Sequence, residues 1–134
     1  MEEIKAGDFI RTKGGNIGQV LKVIPESKYT TRIGRIAHSP EKYWIDTRKG
    51  SMSKPYIKKH SSNIIDLIEE GDIIEYKSEQ GYDNIIEEVW KVENNNVLTI
   101  DGTRINIERV ASIVTKEQFN QMKYIVGDES NVKD

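Results

Sequence analysis

The stretch Ile68-Glu69-Glu70-Gly71-Asp72-Ile73-Ile74 repeats, almost position for position, the opening Ile4-Lys5-Ala6-Gly7-Asp8-Phe9-Ile10. Both read apolar, two variable residues, Gly-Asp, then two apolar residues. The echo continues downstream, where Ile17-Gly18-Gln19-Val20-Leu21-Lys22-Val23 has a counterpart in Ile86-Glu87-Glu88-Val89-Trp90-Lys91-Val92. A chain of 134 residues that states one pattern twice is expected to hold two copies of one small unit. Units of about 60 residues bury a small share of their surface and are marginal alone, so the two are expected to lean on each other.

The local signals within each copy are those of short strands. In the first, Asp8 to Lys13 is a strand candidate, Gly14-Gly15-Asn16 supplies residues that accept positive φ for a tight turn, and Ile17 to Ile24 returns. Gly18 suggests a bulge, and Pro25 ends the strand because it has no N–H to give a ladder. Thr30 to Ala37, Lys42 to Asp46 and Tyr56 to Lys59 are further strand candidates, punctuated by Gly34, Pro40 and Gly50-Ser51. A single helical turn is expected near residues 60–69, with Asp66 taking a free backbone N–H and Gly71 stopping it.

The second copy reads as strand Asp72 to Lys77, a polar loop at 80–84, and strand Ile85 to Glu93 with Trp90 in the core. A turn at Asn94-Asn95-Asn96 and a strand Val97 to Asp101 follow. Asp101-Gly102 is a type I′ hairpin signal, and Arg104 to Glu108 alternates as a strand with one buried face should. Ser112 to Gln118 lines up with Asn63 to Glu69, and Thr115 with Gln118 makes a capping box for a helix over Lys116 to Met122.

Each copy therefore has the grammar of a small five-stranded, strongly bent sheet. The expected fold class is mainly β: two tandem SH3-like barrel units, each ending in a short helical turn, with closure removing exposed edges. The domains are expected at 1–66 and 67–126, with a flexible polar tail at 127–134. The first unit is longer in its middle and carries a basic, aromatic-rich insert at about 25–56. Loops of that kind are where binding residues concentrate.

Composition narrows the chemistry. There is no Cys, hence no disulfide and no thiol nucleophile, which is compatible with a cytoplasmic setting. No apolar run approaches the roughly 20 residues that span a bilayer, and Met1-Glu2-Glu3-Ile4-Lys5 is no signal peptide, so no membrane association is expected. Only His38 and His60 could act as bases near neutral pH, and neither sits in a nucleophile motif. His38, Glu41, Asp46 and His60 lack any metal-ligand spacing. Gly15-Asn16-Ile17-Gly18 matches a GxxG string but lies between strands, where a tight turn explains it. No catalytic, cofactor or metal residue is expected, and the chain reads as non-enzymatic.

Net charge is −2, yet residues 1–63 carry +7 and residues 64–134 carry −9. The split is either internal, the halves attracting each other, or a partner signal. The candidate partner or nucleic-acid face is Arg32, Arg35, Tyr43, Trp44, Arg48, Lys49, Lys54 and Tyr56, joined by Tyr29, Lys58 and Lys59. Its cations could contact phosphates and its rings could stack on bases or anchor a protein. The candidate acidic face is Glu69, Glu70, Glu75, Glu79, Asp83 and Glu87, extended by Asp72 and Glu88, which would attract a basic groove on a partner.

Ile57 to Asp72 resembles a segment shared by small, mostly uncharacterised proteins of Firmicutes phages and integrated mobile elements; Ile113 to Phe119 and Ile4 to Lys13 are similar to parts of the same group. The resemblance implies a mobile-element origin and a host-cytoplasm setting. By analogy with small phage proteins that inhibit host defence, anti-CRISPR proteins included, it implies a host protein or nucleoprotein complex as partner. Direct DNA or RNA binding through the basic insert is the alternative.

Overall fold

A computed structural model gives the fold, and it describes residues 3–47 and 50–122. Arg48 and Lys49, and the tail at 127–134 read above as flexible, lie outside those residues. The molecule is mainly β. In chain order come β1 (Phe9–Thr12), β2 (Ile17–Ile24), β3 (Ser27–Thr30), β4 (Ile36–Ser39), β5 (Lys42–Ile45), β6 (Ser51–Ser53) and β7 (Ile57–Ser61). They are followed by β8 (Ile73–Lys77), β9 (Asn84–Glu93), β10 (Asn96–Thr99), β11 (Arg104–Asn106), β12 (Val110–Val114) and, as the one α-helix among the described residues, α1 (Lys116–Met122). Three 3₁₀ turns cover Lys54–Tyr56, Ile64–Leu67 and Ile107–Arg109.

Two five-stranded sheets result, β6-β5-β2-β1-β7 and β11-β10-β9-β8-β12, with β3–β4 a separate two-stranded sheet. Setting β3–β4 aside, both large sheets run fourth, third, second, first, fifth strand, with a 3₁₀ turn just before the fifth. None of the three closes into a barrel; each large sheet keeps two edge strands, so the expected closure is not what the pairing gives.

The Gly-Asp repeat is reproduced bond for bond. Gly7 and Gly71 have φ of 95° and 92°. Their N–H groups donate to Val20 O at 2.8 Å and Val89 O at 2.9 Å, while Val20 N and Val89 N each donate back to the following Asp carbonyl at 2.8 Å. The carboxylates of Asp8 and Asp72 accept from Lys5 N at 3.0 Å and Glu69 N at 2.8 Å. These bonds close within a few residues or onto the adjacent strand, so the motif carries its geometry with it.

Bulges repeat as well. The β2–β5 register slips between Val20 and Lys22, and the β9–β10 register slips where Val89 pairs with Thr99 and Lys91 with Leu98. The extra residues are Leu21 and Trp90, 55% and 51% exposed. A bulge turns its additional side chain away from the alternation, and this overturns the reading of Trp90 as core. Gly18 is not the bulge. Its backbone lies so close to β5 that a Cβ there would sit 2.5 Å from Ile45 Cγ2.

Each large sheet has its own core. The first is Ile4, Ile10, Val20, Tyr43, Ile45 and Met52; the second is Ile68, Ile74, Tyr76, Val89, Val97 and Ile105. Other expectations are corrected in detail. Thr30 to Ala37 is not one strand, because Thr31 to Arg35 forms a turn between β3 and β4. Asp66 accepts the Ser61 hydroxyl at 2.5 Å and caps nothing. Arg104 to Glu108 is a strand only to Asn106. At Asp101-Gly102 only Gly102 has positive φ, 91°, so the turn is not type I′. Finally, Phe9 pairs with Ser61 and Ile73 with Val114, so Ser61 is the counterpart of Val114. The alignment of Ser112–Gln118 with Asn63–Glu69 is therefore slipped by four residues.

Candidate functional site

The site is built on a junction between the two sheets, and that junction is ionic. Strand β1 points Ile10 into its core, so Arg11 points the other way, toward the second unit. Arg11 is fully buried. Its Nη1 donates to Asp72 Oδ2 at 2.5 Å and to Leu67 O at 2.9 Å; its Nη2 donates to Asp72 Oδ1 at 2.9 Å and Glu117 Oε2 at 2.6 Å; its Nε donates to Glu117 Oε1 at 3.1 Å. Asp72, also fully buried, accepts the backbone N–H of Glu69 and, at 2.9 Å, that of Lys116, the first residue of α1. Around this pair Glu69 collects Lys58 at 2.9 Å, Lys116 at 3.0 Å and Lys59 at 3.1 Å.

Part of the charge split is thus internal. Arg11, Lys58 and Lys59 from the basic half meet Glu69, Asp72 and Glu117 from the acidic half. Burial pushes the Glu69 carboxyl up, but hydrogen bonds from Lys58, Lys116 and Lys59 and the Arg11 charge outweigh it and hold it down at about 2. Glu117 is likewise held below the ordinary carboxylate range, its burial outweighed by Arg11. Both pKa values are depressed, so their contribution to stability is complete above the unfolded carboxylate value, about 4.3. It is lost as pH falls through the folded values. The urea midpoint is expected to hold steady from pH 7 to about 5 and to fall between about pH 4 and 2. A midpoint flat down to pH 2 would contradict the network's role.

Helix α1 completes the junction. Thr115 is buried, and its hydroxyl donates to Gly15 O at 2.7 Å across the interface. Gln118 Nε2 donates to Asn16 Oδ1 at 3.0 Å and Gln121 Nε2 to Gly14 O at 3.3 Å. The expected capping box is present, Thr115 N to Gln118 Oε1 and Gln118 N to Thr115 Oγ1, both at 3.3 Å. The helix of the second unit therefore sits on the β1–β2 turn of the first.

The insert is the β3–β4 hairpin. Thr31 N donates to Arg35 O at 2.7 Å, Gly34 N to Thr31 O at 2.9 Å, and Gly34 takes φ of 83°. The backbone N–H of Arg35 donates to the Thr31 hydroxyl at 3.1 Å. The same Thr-x-x-Gly arrangement recurs at Thr12–Asn16 and Thr99–Thr103, a signal that the sequence reading missed. All four β3 residues are exposed, and Arg32, Ile33 and Arg35 stand at the exposed tip. Ile33 is 76% exposed, Ile36 78% and Tyr29 55%. His38, whose imidazole lies 3.5 Å from Glu26, flanks the base.

The other candidate residues are scattered. Tyr43 is not on the binding face: β5 turns its ring into the core, and its hydroxyl donates to Glu41 at 2.5 Å. Burial and that carboxylate push the phenol up to about 12. Trp44, the next residue, faces outward between Lys22 and Ser51. Lys54 and Tyr56 are exposed on the 3₁₀ turn after β6.

Nor do the acidic residues form one face. Glu69 is in the junction, Glu75 accepts the Ser112 hydroxyl at 2.9 Å, and Glu87 faces the second core, accepting the Tyr76 hydroxyl. Glu70, Glu79 and Asp83 are exposed.

Among the described residues no group of three or more His, Asp or Glu side chains is placed to hold a metal ion, and no helix is long and apolar enough to cross a membrane. The chain matches no family model, and comparison with the curated proteins and with the solved structures gives no match either.

Proposed function

We propose that this is a non-enzymatic binding protein of a phage or mobile element, built from two SH3-like units, that engages a nucleic-acid-handling protein complex of its host. One observation carries the binding reading: the inserted hairpin exposes Ile33 between Arg32 and Arg35 at its tip, with Ile36 and Tyr29 exposed on the strands beside them. Two strands with no core of their own gain nothing from exposing isoleucines. A partner that buries them beside carboxylates would. The repeated fourth-third-second-first-fifth strand order, with its 3₁₀ turn, supports the SH3-like reading. The mobile-element origin and the host complex rest on the resemblance of Ile57 to Asp72.

The test is affinity capture from host extract, with and without nuclease. A single complex should be recovered after nuclease treatment. The triple variant Arg32→Glu, Ile33→Asp, Arg35→Glu should reduce its recovery about tenfold or more, since buried apolar and Arg anchors dominate interfaces. Equal recovery by the variant would end the hairpin reading.

Direct nucleic-acid binding is the second reading, favoured by Lys28, Arg32 and Arg35 lying on one exposed hairpin with Tyr29. It requires a low-salt gel shift that weakens steeply as salt rises. Capture abolished by nuclease, together with such a shift, would select it.

A further inference from the structure

The two units differ at several matched positions inside the sheet, and one pair of these bears on a cavity. Thr12 lies opposite Ile57 as Tyr76 lies opposite Val110, and Gly18 lies opposite Ile10 as Glu87 lies opposite Ile74. Register therefore equates Thr12 with Tyr76 and Gly18 with Glu87. In the second unit Tyr76 is 4% exposed and its hydroxyl donates to Glu87. In the first unit a threonine and a glycine stand in those places. A cavity of about 320 Å³ lies beside Thr12, with Ile10, Ile45 and Met52 of the first unit on one side and Ile113 and Gln118 of the second unit closing it.

That volume lies in the range of built ligand sites. Thr12, Thr47, Asn16 and Gln118 give the lining hydroxyl and amide groups, and no described lining residue is charged. An ionised group would lose hydration there with no counter-charge among the described lining residues to replace it. A flat apolar ring bearing one neutral polar group meets both parts of the lining.

We propose that the cavity binds a phenolic side chain, a tyrosine presented by a partner polypeptide, which takes in trans the place that Tyr76 takes within its own unit. The polypeptide source rests on the reading of the chain as a binding protein. The preference for a neutral ring stands on the lining alone. Because the second unit supplies one wall, the site exists only while the Arg11 junction holds.

Titration of the ¹⁵N-labelled full chain with N-acetyl-tyrosinamide and with p-cresol tests this. Both should give saturable shifts at the Ile45, Thr47, Ile113 and Gln118 amides, with millimolar affinity, and N-acetyl-tyrosinamide should bind the tighter. Thr12→Tyr, which installs the second unit's own ring, should weaken binding about tenfold or more. The Thr12 hydroxyl also accepts Asn16 N at 2.9 Å, so Met52→Trp serves as a second filling variant. No saturable shift with either compound, or shifts only at residues away from the cavity, would overturn the site. Binding of p-cresol without N-acetyl-tyrosinamide would overturn the polypeptide occupant. The hairpin triple variant should bind both compounds as the unmodified chain does, so loss of partner capture and loss of this site are read separately.

Discussion

Replacing Arg11 by methionine is expected to lower the free energy of unfolding by about 3–5 kcal/mol, the cost of removing one member of a buried ion pair. Methionine matches much of the stem, so lost packing is a small part. The larger part is Asp72, which stays fully buried with its charge and loses both guanidinium bonds. Asp72 cannot relieve this by leaving, because its oxygens also accept the Glu69 and Lys116 backbone N–H groups. For a small protein of about 5–15 kcal/mol total stability, the loss is a large fraction. Arg11→Lys should rescue little: one ammonium cannot present the fork that bridges Asp72 and Glu117 together. Glu117→Gln should cost less, because the Glu117 side chain is 18% exposed and Arg11 keeps Asp72. Urea unfolding of the three variants checks the order. An unchanged midpoint for Arg11→Met would remove the junction from any account of how the halves hold together.

What was legible beforehand followed the range of the forces involved. The Gly-Asp motif was readable because its hydrogen bonds are local, and positions 7 and 71 make the same backbone bonds. The Thr115 capping box was readable for the same reason. Trp90 was misread because strand alternation counts every residue and a bulge adds one without marking it in the sequence. From the sequence Arg11 reads with Lys13 as a basic flank of the first hairpin, because an arginine in a strand is exposed by default. Its partners lie 61 and 106 residues away. The only hint was the opposite charge of the two halves, which pointed equally to an outside partner. Tyr43 and Trp44 were grouped as rings, yet neighbouring strand residues face opposite ways, and only the register decides which is core.

Gly15→Ala and Gly102→Ala provide a matched pair, and the first is expected to be far more damaging. Both glycines close a Thr-x-x-Gly hairpin, and their φ angles are 93° and 91°. Left-handed backbone costs an L-residue about 1–2 kcal/mol, and that penalty is common to both. At Gly102 it is the whole cost, because an added Cβ meets nothing within 4 Å. At Gly15 the Cβ would overlap Thr115 Oγ1 and lie 2.8 Å from Glu117 Cβ and 3.2 Å from Gln118 N, a backbone atom of α1. The helix must move off, which breaks the buried Thr115 bond to Gly15 O and loosens Glu117 on Arg11. A lost buried hydrogen bond adds about 1–3 kcal/mol. Hydrogen exchange separates the two effects. Gly15→Ala should strip protection from the α1 amides while the second core, around Ile74 and Val89, keeps its own. Gly102→Ala should leave α1 protected and lower stability only globally. Equal losses in the two variants would mean that α1 does not bear on the β1–β2 turn in solution.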